Sequence, residues 1–87
     1  MSEAAGPNFL LVSSDLVVRT SEIVAILDQP ALAAAATREF LGFCRRRGRV
    51  EDLCAGSPTR SAILCGQRVL LSPLAASTLR RRLHHGR

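Results

Sequence analysis

Apolar residues fall in short, closely spaced runs along this chain, and turn-forming or capping residues bound each run. Phe9-Leu10-Leu11-Val12 stops at Ser13-Ser14-Asp15, Leu16-Val17-Val18-Arg19 resumes extended structure, and Ile23 to Leu27 is continuous and β-branched, as in a buried strand. Thr20-Ser21-Glu22 between the last two predicts a bulge or a turn. Asp28-Gln29-Pro30 reads as a helix start, with Asp28 or Gln29 capping and proline in the first turn. Leu32, Ala36, Phe40, Phe43 and Cys44 then recur at helical spacing until Gly48 closes the helix. Arg49 to Cys54 predicts a strand with Val50, Asp52 and Cys54 on one face, and Ala55-Gly56-Ser57-Pro58-Thr59 predicts a loop. Residues 61–65 and 68–71 flank Gly66-Gln67, a two-residue link suited to a type II′ hairpin. Ser72-Pro73 supplies an N-cap hydroxyl and an N1 proline for a last helix, from Leu74 to about Leu83. The expected fold class is α+β: a small, mostly antiparallel sheet with one central and one C-terminal helix.

At 87 residues the chain makes one domain, here 9–83, flanked by a flexible N-terminus (1–8) and a flexible basic tail (84–87). A domain of this size buries only about 60–65% of its unfolded surface, so self-association is a natural source of further stability. The N-terminus has neither the basic start nor the apolar run of a signal peptide, and no apolar stretch exceeds six residues. A cytoplasmic protein with no membrane partner is expected. Cys44, Cys54 and Cys65 are odd in number and match no zinc spacing, which points to reduced, partly buried thiols.

Charge is uneven. Residues 1–43 hold two arginines and five acids, a net of −3, whereas residues 44–87 hold ten arginines and two acids, a net of +8. This split fits polyanion binding or head-to-tail packing of subunits. Every cation is arginine, whose planar fork donates to phosphate in pairs. With three phenylalanines and no tryptophan or tyrosine, platforms for stacking single-stranded bases are not expected. Both histidines lie in the terminal tail, and there is no glycine-rich phosphate loop and no lysine nucleophile. Catalysis, metal binding and cofactors are therefore not expected.

Val18 to Asp28, then Thr37-Arg38-Glu39-Phe40-Leu41, Val69 to Leu74 and Ser77-Thr78-Leu79 resemble, in order and at compatible spacings, the RemA/RemB family of bacterial extracellular-matrix (biofilm) gene regulators. The likeness runs from about Phe9 to Leu83 and is nearest the RemB branch, through the Ile-Val-Ala-Ile-Leu-Asp strand and the Leu-Ser-Pro segment. It implies a LytTR-like subunit assembling into a closed ring that presents a basic surface to double-stranded DNA. The family's DNA-binding branch carries Gly-Arg-Arg-Thr-Arg in the loop before the penultimate strand, where this chain has Gly56-Ser57-Pro58-Thr59-Arg60. The arginine expected ahead of the Ile-Val strand is Glu22 here, with Arg19 three residues away.

The candidate nucleic-acid contacts are accordingly Arg60 and Thr59 of the loop, Arg19, and Arg45, Arg46 and Arg49 around the helix end. Each has an ordinary alternative. Arg60 also reads as a charge at a strand start, and cations in a last helical turn suit the helix dipole without any ligand. On a continuous helix Arg45 and Arg49 would share a face. Three functions follow: a DNA-binding regulator acting as a cyclic homo-oligomer, a ring-forming interaction protein without DNA binding, and a modulator that co-assembles with a paralogous regulator.

Overall fold

The structure is a computed structural model that describes residues 9–84. Two layers of chain enclose a four-stranded sheet. Strands β1 (Phe9–Leu11) and β2 (Val17–Arg19) form an antiparallel pair, and a 3-10 turn (Thr20–Glu22) leads into β3 (Ile23–Leu27). Helices α1 (Gln29–Ala33) and α2 (Ala35–Arg46) follow, then β4 (Val50–Asp52), the hairpin β5 (Ser61–Cys65) and β6 (Val69–Ser72), and α3 (Ala76–His84). The larger sheet is ordered β3-β5-β6-β4, antiparallel except for β4, which runs parallel to β6. The α+β, mostly antiparallel expectation holds. The flexible ends expected at 1–8 and 84–87 lie outside the described residues, except that His84 closes α3.

Both faces of the sheet are covered, which is why β5 and β6 read as unbroken apolar runs and not as alternating ones. One face carries Ile26, Ile63, Cys65 and Leu70, packed beneath Leu79 and Ala76 of α3 and Leu10 and Val18 of the β1–β2 pair. The other carries Ala62, Val69 and Leu71, packed under Leu41 and Cys44 of α2, with Cys54. A register shift between Ile23 and Ala25 places Ile23 opposite Cys65 and Ala25 opposite Leu64. The extra residue, Val24, is pushed out of the ladder and is 73% exposed.

Two buried serines tie the layers together. Ser72 Oγ donates to the Val12 carbonyl at 2.6 Å and accepts from the Leu74 N–H at 3.0 Å. Ser61 Oγ donates to the Leu74 carbonyl at 2.7 Å. Buried hydroxyls are tolerated only when bonded, and these bonds fix the turn that launches α3.

Several local expectations are corrected. Ser72-Pro73 does not start a helix: Ser72 is the last residue of β6, and α3 begins at Ala76 because the Ser72 hydroxyl is committed to the turn. The central helix is broken at Ala34, whose backbone is extended, so that α1 lies against β5 while α2 packs against β4. The inward stripe of α2 is Leu41 and Cys44. Phe40 and Phe43 are 42% and 46% exposed, and Ala36 is exposed too. The strand expected over 49–54 is paired only at 50–52, and Asp52 is exposed. The Gly66-Gln67 link has the expected length, with the Cys65 N–H on the Arg68 carbonyl. Neither residue takes a positive φ, so it is not type II′. Pairing of β5 with both β3 and β6 sets the register without help from the turn.

Asp28 caps α1, accepting from the Ala31 N–H at 3.0 Å, and Gly48 (φ 68°) ends α2 as expected. The Gly48 N–H bonds the Arg45 carbonyl and the Arg49 N–H the Cys44 carbonyl, the two bonds of a Schellman ending. Replacing Ser72 by alanine strands the Val12 carbonyl and the Leu74 N–H. It should lower unfolding free energy by about 1–3 kcal/mol, whereas exposed Ser77→Ala should stay within about 0.5 kcal/mol; urea denaturation of the two variants checks this.

Candidate nucleic-acid interface

Ending α2 at Arg46 sorts the arginine run into three environments. Arg45 and Arg46 remain on the helix and, with Arg38 seven and eight positions earlier, line one side of an open groove. Arg47, the C-cap residue, folds back so that its guanidinium carbon sits 3.8 Å from the centre of the Phe43 ring. Arg49 lies past the helix and faces a separate small hollow beside Phe40, Phe43 and Arg68. Arg45 and Arg49 therefore do not share a face.

The groove is about 750 Å³ and runs along α2, with Leu32 of α1, Leu71 of β6 and Glu39 also in its lining. Thr59 lines it from the side of the loop between β4 and β5. That loop is tightly set: Ala55 and Gly56 take φ of 52° and 89°, the Ser57 N–H bonds the Cys54 carbonyl at 2.9 Å, and Pro58 fixes φ ahead of Thr59. A left-handed alanine is unusual and costs roughly 1 kcal/mol, so the surrounding bonds hold it there. Thr59 Oγ1 sits 3.4 Å from Cys54 Sγ.

Of the expected site residues the structure thus brings together Arg45, Arg46 and Thr59. Arg60 follows Thr59 but lines a different hollow, with Arg80, Asp28 and Pro30. Arg80 donates to the Ile26 carbonyl at 2.7 Å. Arg19 is further away, on the outer face of the β1–β2 pair, its guanidinium carbon 5.9 Å from the Phe9 ring centre. Arg38 was missed by sequence reasoning; the signal was its spacing of seven and eight from Arg45 and Arg46.

Among the described residues the sole ion pair joins Arg68 to Glu51 at 3.1 Å, and Asp52 is engaged by the Cys54 N–H at 2.9 Å. Arg38, Arg45 and Arg46 are exposed or line the open groove and make no ion pair with any described residue. No group of three metal-ligating side chains occurs among the described residues, and no helix there is long and apolar enough to cross a membrane.

The three cysteines are free and lie in the core, more deeply buried than expected. Burial pushes the Cys54 thiol up, with Asp52 adding to this and the Thr59 hydrogen bond opposing it. Burial likewise raises Cys65; Arg68 pulls it down and Glu22 pushes it up.

The fold and this surface together define a small α+β domain with an arginine-rich face whose cations make no ion pair with the described residues. The chain belongs to the RemA-like family, described as extracellular matrix regulatory protein A-like, whose model matches residues 9–83. It is also 32% identical over 74 residues to extracellular matrix regulatory protein B of Bacillus subtilis (strain 168), covering 85% of this chain and 88% of that protein.

The raised thiols set the alkaline limb of stability. Folded Cys54 and Cys65 hold their protons above the ordinary thiol value of 9.0. The unfolded chain then binds fewer protons than the folded one, so stability falls as pH rises past about 9. The chain has no tyrosine and no lysine to titrate in that range. Urea unfolding at pH 7.5 and pH 10 should show the loss, and a Cys54→Ala, Cys65→Ala double variant should flatten it.

Proposed function

We propose that this protein is a DNA-binding regulator of extracellular-matrix genes, acting as a cyclic assembly of LytTR-like subunits. The observation that carries the reading is the alignment of Arg38, Arg45 and Arg46 along one side of α2, open to solvent and free of ion pairs with the described residues. Adjacent like charges repel one another, and a phosphate backbone relieves that repulsion while releasing its own counterions. Thr59 offers a hydroxyl on the opposite wall, and Arg60 extends the charge beyond it. Ser57-Pro58 replaces the two loop arginines of the family's DNA-binding branch, so in this chain α2 takes over part of their task. Arg19 and Arg49 lie on other surfaces and contribute only where a neighbouring subunit brings them to the same duplex.

The assembly has its own support. Phe9, Leu11 and Val17 are 56%, 41% and 52% exposed and share the outer face of the β1–β2 pair, with Leu11 directly opposite Val17. An apolar face of this kind favours contact between copies, and it serves equally the second reading, a ring that works through protein partners or a paralogue.

Binding to a long duplex at two salt concentrations, with the mass in solution recorded alongside, separates the two. The expected result is salt-steep binding by a multi-subunit species. Removing Arg45 and Arg46 together should reduce the slope of log affinity on log salt by about 0.9 for each phosphate no longer neutralised, and Arg68→Ala should leave it unchanged. A stable assembly that ignores DNA at low salt would overturn the DNA reading in favour of the second. Val17→Asp should reduce the mass in solution without unfolding the chain; an unchanged mass would remove the β1–β2 face from the contact.

A further inference from the structure

The α2 groove has features that contact with a duplex backbone does not require. A phosphate held at a protein surface needs a donor, not a cavity. This open groove offers about 750 Å³, within the roughly 300–1,000 Å³ typical of small-molecule sites. Its lining is also divided. Arg38, Arg45 and Arg46 carry positive charge, outnumbering the single acid Glu39, while Leu32, Ala35, Leu41 and Leu71 supply apolar surface.

Gly42 adds an independent observation. It sits in the middle of α2, where glycine costs about 1 kcal/mol relative to alanine. It has no positive φ to justify that cost. Nor does the core exclude a side chain there: a Cβ at this position meets only the far end of the Arg46 side chain, at an ordinary 3.6 Å. What the missing side chain leaves is room beside the Arg46 guanidinium, next to the apolar surface of the groove.

We propose that this groove is a seat for a small organic phosphate, a phosphate or diphosphate joined to a flat, largely apolar ring. The arginine forks take the phosphate oxygens in charge-assisted pairs. The ring lies beside the Arg46 guanidinium, against Leu32 and Ala35, and the Thr59 hydroxyl bonds a polar edge. The seat stands without the DNA reading; where that reading also holds, Arg45 and Arg46 are shared and ligand and duplex compete.

The test is isothermal titration of the full chain with three probes: ADP, inorganic pyrophosphate and adenosine. ADP should saturate one site per chain and bind at least about tenfold more tightly than either fragment, as expected where charge and apolar contacts both count. Gly42→Leu, which fills the groove and crowds the Arg46 guanidinium without changing charge, should weaken ADP by about tenfold or more and pyrophosphate by less. Gly42→Ala should weaken ADP less and melt no lower than the native chain, which shows that loss of ligand is not loss of fold. Equal affinity for ADP and pyrophosphate with no effect of Gly42→Leu, or no ADP binding at millimolar concentration, would overturn the proposal. A native chain that ignores duplex DNA yet binds ADP, with the Gly42→Leu sensitivity intact, would sink the DNA reading and uphold the seat.

Discussion

β3 and β4 lie on opposite edges of one sheet and run in the same direction, so the chain between them must cross a whole sheet face. A parallel connection of this kind needs a helix to satisfy its backbone on the way. Residues 29–46 provide it, and most of the molecule's surface character follows from that crossing. A helix lying on a sheet buries only one stripe, and in α2 the stripe is narrow, Leu41 and Cys44. Most of the rest faces outward, including Arg38, Arg45 and Arg46 and the two phenylalanines. The arginine face is thus the flank of the helix that closes the second core, beside Leu41.

The opposite face is closed differently. α3 and the β1–β2 pair share it, and their meeting point is held by Ser72, whose hydroxyl joins Val12 to Leu74. Because β5 and β6 are buried on both sides, a small chain gains two apolar clusters from one sheet. This compensates for the limited surface that a domain of this size can bury. What remains exposed and apolar is localised: the outer face of β1–β2, the bulged Val24, and Phe40 and Phe43, the last covered in part by Arg47.

Much of this was legible from residue order. Strand positions, the Asp28 cap, the Gly48 ending and the hairpin length all rest on local chemistry that the tertiary structure did not override. The failures have common causes. Ser72-Pro73 has every local mark of a helix start, yet its hydroxyl is claimed by Val12, sixty residues earlier. The break at Ala34 falls in a run of alanines, where no side chain signals it; it serves contacts with two different strands. Phe40 and Phe43 fit the helical period as well as Leu41 does, and which stripe turns inward depended on the sheet beneath. For the site, the arginine cluster was visible, but its division among three environments required knowing that α2 stops at Arg46. Likeness to the RemA-like family was readable in the ordered motifs, and the family match over 9–83 supports it.

On the proposed reading α2, and not the loop that lacks two arginines, is therefore the surface that meets the duplex. Because every cation in the chain is arginine, phenylglyoxal footprinting read by mass spectrometry reports on each of them directly. In the presence of duplex DNA, Arg38, Arg45 and Arg46 should be shielded while Arg68, paired with Glu51, reacts as before. Shielding confined to Arg19 and the α3 arginines, with the α2 set fully reactive in a DNA-bound protein, would contradict it.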